Sequence, residues 1–120
     1  MQDTIENEIQ AKGLTAPRVT PADVEANIKQ EYYFTAGDGF IGAVGGEAYP
    51  SVLGLLTFCV LELQNGFTVT GESACASPEN FDADLGRKIA RQNAMAKTWP
   101  LMGYELRSSL AWREGQMTGS

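Results

Sequence analysis

Apolar and polar positions alternate most clearly between residues 55 and 75, and the alternation is broken once, at Asn65-Gly66. An Asn-Gly pair between two alternating runs predicts a hairpin with a two-residue turn that holds both turn residues at positive φ. With those two as the loop, Gln64 faces Phe67, Leu61 faces Thr70, Cys59 faces Glu72 and Leu56 faces Cys75. One face then carries Leu56, Phe58, Val60, Phe67, Val69 and Cys75, and is predicted to face the core. The other carries Leu55, Cys59, Leu61 and Leu63 beside Thr57, Thr68, Thr70 and Glu72. That face is too apolar for water and too polar for a plain core, so cover by another element, another subunit or a ligand is expected.

Helical signals flank the hairpin. Thr20-Pro21-Ala22-Asp23 is a helix start, with a Thr cap, Pro at the first position and an acid in the first turn. Val24 and Ile28 give that helix a narrow apolar stripe, and it ends near Gln30. Residues 31–36, rich in aromatics, read as a strand. Ser77-Pro78-Glu79-Asn80 opens a long helix whose stripe is Leu85, Ile89, Asn93 and Ala96, and Pro100 is expected to end it just after Trp99. A short helix over 104–112 keeps Leu106 and Leu110 inward. Gly37-Asp38-Gly39-Phe40-Ile41-Gly42 matches GxGxxG after a candidate strand, but a dinucleotide site needs the last glycine to open a helix. With Ala43-Val44-Gly45-Gly46 following, a flexible hairpin loop that serves as a lid is the expectation.

These elements predict an α+β fold: a small antiparallel sheet, built on a central Asn-Gly hairpin, packed with an N-terminal helix and a long C-terminal helix. The expected organisation is a flexible arm over 1–19, a single ligand-binding domain over 20–113 and a disordered tail over 114–120. At 120 residues the chain is one domain's worth. Its longest apolar run, residues 52–63, is too short to span a bilayer, and its acidic start lacks a secretory signal. No membrane partner and an intracellular location follow.

Charge narrows the chemistry. Residues 1–80 hold eleven acids against Lys12, Arg18 and Lys29, whereas residues 81–120 hold six bases against four acids. No basic side chain lies between Lys29 and Arg87. Nucleic acid wants a broad basic footprint, so no nucleic-acid partner is expected. Histidine is absent and only two cysteines are present, which removes the commonest general base and leaves too few thiols for a structural zinc site. The expectation is that the protein is not an enzyme and uses no metal or cofactor. Cys59 and Cys75 fall on opposite faces in the register above, so both are expected to be free thiols.

A small anionic ligand fits what remains. Thr70, Gly71 and Ser73 offer hydroxyls and an approachable backbone, and the turn at Ser77 to Asn80 presents a helix N-terminus. Arg87 and Arg91, four residues apart, can clamp a diphosphate or stack on a base. Each has a structural counterpart: Gly71 as a bulge, Ser77 as a simple cap, the arginines as partners of Asp84 or Glu72.

The run from Leu56 to Cys75 through the Asn-Gly turn, then Ser-Pro-Glu-Asn-Phe-Asp from Ser77, Gly86-Arg-Lys-Ile-Ala-Arg, Asn93-Ala, Trp99-Pro-Leu and Gly103-Tyr resembles a small-protein family common in tailed phages. That family is identified with the phage sponges that defeat the Thoeris system. The resemblance covers residues 55–110, is weak before residue 50, and departs at Met102, where an acid is expected. It implies binding and sequestration, without cleavage, of cyclic ADP-ribose isomers made by TIR-domain proteins, and of cyclic tri- or dinucleotides, in the host cell cytoplasm. It further implies a homodimer or trimer of dimers whose protomers pack on the mixed hairpin face. Arg87 and Arg91 match the family's paired helix arginines, and Phe67, Asn80 and Phe81 are placed at the stacking and polar contacts. A structural or partner-binding phage protein, acting as an acidic mimic of nucleic acid, is the alternative.

Overall fold

The computed structural model describes residues 2–116, and the fold class is the expected one. Its elements are α1 (Gln2–Ala11), α2 (Pro21–Ala26), β1 (Ile28–Thr35), α3 (Ala36–Val44), β2 (Leu56–Leu63), β3 (Thr68–Ala74) and α4 (Ala83–Arg113), with short 3₁₀ turns at Ser51–Leu55 and Pro78–Asn80. The three strands form one antiparallel sheet in the order β1-β2-β3. That topology excludes the dinucleotide fold, which needs parallel strands.

The described chain divides into two compact units. Residues 28–97 form the sheet unit; the described residues up to Asn27 and from Thr98 onward form the other. Helix length gives the reason. At 31 residues α4 is about 46 Å long, whereas an eight-residue strand spans about 26 Å, so the sheet cannot cover the whole helix. Pro100 lies inside α4 instead of ending it. Proline removes one helical hydrogen bond, but the turns on both sides keep theirs and hold the helix through it.

In the second unit, the segment expected as a flexible arm contains α1, and Arg18 donates to both carboxylate oxygens of Glu6 at 2.8 Å. That pairing holds the Glu6 carboxyl at about 2. The start of α2 is as expected, a capping box in which Asp23 N–H donates to Thr20 Oγ1 at 3.1 Å and Thr20 N–H to Asp23 Oδ2 at 2.9 Å. At the other end, of the tail expected to be disordered, Glu114 to Gln116 close α4. Gln116 N–H donates to Ala111 O at 2.8 Å and Gly115 N–H to Trp112 O at 3.1 Å, with Gly115 at φ 75°. This is a Schellman ending. Residues 117–120 lie outside the described residues.

The hairpin register differs from expectation by one residue. Leu61 pairs with Val69, Cys59 with Gly71 and Leu56 with Ala74. Leu63 N–H donates to Phe67 O at 2.8 Å, so the loop is Gln64-Asn65-Gly66, and Gly66 alone carries the positive φ, 88°. This is the three-residue hairpin, a turn followed by a glycine bulge. A slip of one moves every side chain of a strand to the other face of its neighbour. The core face is therefore Thr57, Cys59, Leu61 and Leu63 with Val69 and Gly71, all buried, while Leu56, Phe58 and Val60 look outward.

The mixed face is covered by the chain's own α4, not by a subunit. Cys59, Leu61, Leu63, Val69, Ala90 and Ala94 make one core cluster, flanked by Ile28, Tyr33 and Met95. The helix face that packs is Gly86, Ala90 and Ala94, and the expected stripe is displaced: Leu85 is 54% and Ile89 38% exposed. Small residues let the helix backbone lie directly on the sheet. A Cβ added at Gly71 meets Ala90 O at 2.2 Å and Ala94 N at 2.3 Å.

The glycine-rich stretch is helical. Thr35 and Asp38 form a second capping box, Asp38 N–H donating to Thr35 Oγ1 at 3.1 Å and Thr35 N–H to Asp38 Oδ2 at 3.0 Å. α3 then runs to Val44 and stops at Gly45, φ 81°. Gly37 leaves room for the Tyr49 ring, since a Cβ there would fall 2.4 Å from it. The expected lid loop is thus a short helix seated on the segment that follows it.

Candidate functional site

Two cavities open on the sheet unit where β1 ends and α4 begins. The first, about 120 Å³, is lined by Tyr33, Phe34, Thr35, Asp38, Thr57, Phe81, Ala83 and Arg87. The second, about 110 Å³, has Leu55, Ser73, Cys75, Asn80, Asp82, Leu85 and Ile89 among its lining. Thr57 and the half-buried Phe81 line both, so the two cavities adjoin.

Local structure sets Phe81 there. Ser77 makes no side-chain cap, and Pro78–Asn80 is a 3₁₀ turn of its own. Phe81 is extended, at φ −66° and ψ 126°, and Asp82 then caps α4, its Oδ1 accepting from Leu85 N–H at 3.1 Å. The long helix therefore starts five residues later than the serine signal indicates. Its N-terminus already holds a carboxylate, which satisfies the dipole that a phosphate would otherwise seek.

The expected site residues divide accordingly. Ser73, Asn80, Phe81 and Arg87 come together around the two cavities. Phe67 is exposed beside the hairpin loop, and Thr70 points from the outer face of β3. Gly71 is buried under α4, where a side chain would meet the helix backbone.

Arg91 is committed to structure. Its Nε donates to Glu31 Oε1 and its Nη2 to Glu31 Oε2, both at 3.0 Å, and Tyr33 Oη donates to Glu31 Oε1 at 2.7 Å. Glu31 across the sheet is thus a partner of Arg91. The guanidinium holds the Glu31 carboxyl below its ordinary range. Burial, together with that carboxylate, pushes the Tyr33 phenol up, and burial likewise raises the Cys59 thiol. Arg87 pairs along its own helix, with the exposed Asp84.

Both cysteines are free, as expected, though for a different reason. Cys75 N–H donates to Leu55 O, continuing the ladder, so Cys75 shares the face of Cys59. Four residues of strand separate Cys75 from Gly71, the partner of Cys59, a span of about 13 Å and far beyond disulfide reach. The Cys75 thiol donates to Ser77 O at 3.1 Å.

Sequence reasoning missed Tyr33, Thr35, Asp38 and Thr57, which the β1–β2 pairing brings beside Arg87. The Thr35-x-x-Asp38 spacing was the readable signal; the strand pairing has no local one. Among the described residues no group of three or more Cys, Asp or Glu is placed to hold a metal ion, and no helix is long and apolar enough to cross a membrane.

Residues 19–110 match the profile of the Phage protein (N4 Gp49/phage Sf6 gene 66) family. The chain belongs to that family. The matched span begins just before the Thr20 cap of α2 and ends within α4, so it takes in both cavities of this phage protein. No curated protein and no solved structure matches it.

Proposed function

We propose that this phage protein binds and sequesters a phosphate-bearing cyclic nucleotide signal in the host cytoplasm, without cleaving it. The ligand class is the cyclic ADP-ribose isomers made by TIR-domain proteins, with cyclic tri- or dinucleotides as relatives. One observation carries the reading: Arg87 lines a cavity with an aromatic ring, Phe81, and the hydroxyl-bearing Thr35 and Thr57. Its ion pair with Asp84 is a surface pair, Asp84 being 81% exposed, and such pairs contribute at most about 1 kcal/mol. A phosphate therefore displaces Asp84 cheaply. Arg91 is held by two hydrogen bonds to Glu31, so of the family's two arginines Arg87 is the one the reading relies on.

Cavity size supports a shared site. Pockets that enclose small molecules run to roughly 300–1,000 Å³. One cavity of about 120 Å³ accommodates a phosphate and little more. The remainder of a cyclic nucleotide lies outside, where a second copy of the chain in a dimer or trimer of dimers covers it. Binding without chemistry accords with the absence of histidine.

A partner-binding role is the second reading, favoured by the outward face of the sheet. Tyr32 is 51% and Phe34 39% exposed there, next to Phe58 and Val60.

The test is mass spectrometry of small molecules released by heat from protein incubated with a lysate of TIR-active cells. An intact cyclic ADP-ribose isomer, retained by the native chain and lost with Arg87→Ala, is the expected result. Linear ADP-ribose in its place makes the protein an enzyme. Nothing retained favours the partner-binding role.

A further inference from the structure

We propose that the outer edge of β1 is a docking site for an extended segment of another protein, one that carries lysine or arginine beside alternating apolar residues. The proposal is independent of the nucleotide reading and gives the partner-binding role a surface and a chemistry. β1 ends the sheet on one side, and no fourth strand lies beyond it among the described residues. Register decides which of its backbone groups face outward. Leu63 N–H donates to Phe67 O and Cys75 N–H to Leu55 O, so the odd-numbered residues from Leu55 to Leu63 direct their hydrogen bonds to β3 and the even-numbered ones to β1. In β1 it is then Gln30, Tyr32 and Phe34, opposite Glu62, Val60 and Phe58, that close the ladder. Glu31 and Tyr33 turn N–H and C=O to the open side. Thr35 fits the alternation, since its N–H donates to Asp38 Oδ2 rather than to β2.

The opposite edge of the sheet is occupied. By the same alternation Glu72 C=O points outward from β3, and there the Asn93 side-chain amide of α4 donates to it at 2.8 Å. Bare edge strands pair with other chains, and proteins cover those they do not use. β1 carries instead the side chains that a strand partner needs. Tyr32 and Phe34 are 51% and 39% exposed on the outward face, and the Phe34 ring lies 5.5 Å from that of Phe58, so apolar surface begins at the edge and continues onto β2. Strand addition takes its affinity from main-chain hydrogen bonds and its specificity from alternate side chains, here β-branched or aromatic ones beside Tyr32 and Phe34. Charge supplies the rest. Residues 28–76 hold five acids against Lys29 alone, and Lys29 lies 3.8 Å from Glu62. The other bases of the sheet unit, Arg87, Lys88, Arg91 and Lys97, are all on α4, which packs on the opposite face of the sheet. An acid-rich strand surface favours a basic segment and repels an acidic one. It also disfavours a second copy of the chain, whose β1 bears the same charges.

Three synthetic peptides of alternating valine and threonine test the site: one with a lysine at each end, one with a glutamate at each end, and the lysine peptide with a proline at its centre. NMR titration and amide exchange, on the native chain and on Tyr32→Thr, read the binding, and thermal melts check that the variant is folded. Tyr32 is exposed and threonine suits a strand, so the change is tolerated. The expected result is that the lysine peptide binds, slows exchange of the Glu31 and Tyr33 amides, and is weakened about threefold by Tyr32→Thr. The proline peptide is expected to bind about fivefold more weakly, through loss of a ladder hydrogen bond. The glutamate peptide is expected to bind about fivefold more weakly as well, by a margin that shrinks as salt is added. Equal binding of the proline peptide overturns strand addition, and equal binding of the glutamate peptide overturns the basic partner. Absence of binding by all three overturns the site. Slower exchange at Glu31 and Tyr33 on raising the protein concentration alone gives the edge to a second copy and overturns its assignment to another protein.

Discussion

Replacing Gly71 by Ala is expected to cost far more than a methyl group usually does. The added Cβ sits 2.2 Å from Ala90 O and 2.3 Å from Ala94 N, where ordinary contact begins at 3.4 Å. Both are backbone atoms inside α4, so no side chain can rotate away. The helix must withdraw by about 1 Å, and a gap of that size forfeits a quarter to a half of the dispersion energy across it. Cys59, Leu61 and Ala90, all 0% exposed, lie along that contact. Overpacking of this kind costs about 1–3 kcal/mol, and occasionally more; rigid backbone on the receiving side places Gly71→Ala near 3 kcal/mol. Easier ordering of alanine returns about 0.5–1 kcal/mol. Net destabilisation of about 2–2.5 kcal/mol lowers the melting temperature by roughly 10 °C. Gly42→Ala is the matched control. Gly42 is interior to α3 with nothing within 4 Å of an added Cβ, so the same change there stabilises by about 0.5–1 kcal/mol. Thermal and denaturant melts of both variants read the difference in sign. A Gly71→Ala protein that melts within about 2 °C of the native chain means that α4 does not lie on β3 as described.

Glu31→Gln is expected to destabilise the fold by about 1 kcal/mol at neutral pH, since it removes the charge from a paired, partly screened carboxylate. The Glu31 pKa is depressed in the fold, so its contribution is full above the unfolded value and is lost as pH falls through the folded one; native and variant melts should converge on acidification. Convergence toward alkaline pH contradicts the assignment. Of the two thiols, Cys75 is expected to react with an aromatic disulfide reagent in the native state and Cys59, 0% exposed, only after denaturant is added. Two fast equivalents without denaturant exclude the buried position of Cys59. NMR titration should find the Glu6 carboxyl near 2 in the native chain and back in the ordinary carboxylate range in Arg18→Gln, and an unchanged value in the variant refutes the ion pair.

The parts of the fold that were legible in the sequence are those that local chemistry decides. The Thr20 capping box, β1, and the two strands around Asn65-Gly66 need only their own residues. The same rule, applied evenly, would have found α3. Thr35-Ala36-Gly37-Asp38 repeats the Thr-x-x-Asp spacing of Thr20 to Asp23, and both form capping boxes. Counting glycines concealed it. Three glycines in a nine-residue helix do cost stability, but the Tyr49 ring packs against the bare Gly37, and tertiary contacts can outweigh propensity. The start of α4 was concealed in a similar way: Ser77-Pro78 has the look of a helix start, yet the chain uses it for a single 3₁₀ turn and caps the helix at Asp82.

The site was less legible because it depends on a register that the turn pair underdetermines. Asn-Gly serves a two-residue turn or, with one residue more, a bulged three-residue loop, and the two differ by one step of strand. That step exchanges the faces. It turns Cys59, Leu61 and Leu63 inward, where Gly86, Ala90 and Ala94 are small enough to admit the α4 backbone. Gly71 thereby becomes a packing glycine, and Thr70 is left on the outer face. The helix, so placed, brings Arg91 to Glu31 of β1 and leaves Arg87 one turn earlier, beside Thr35 and Thr57. Two arginines alike in sequence thus acquire opposite roles, one closing the fold and one lining a cavity. With Asp82 already at the helix N-terminus, any phosphate drawn to this end of α4 must be held by the Arg87 side chain rather than by the helix dipole.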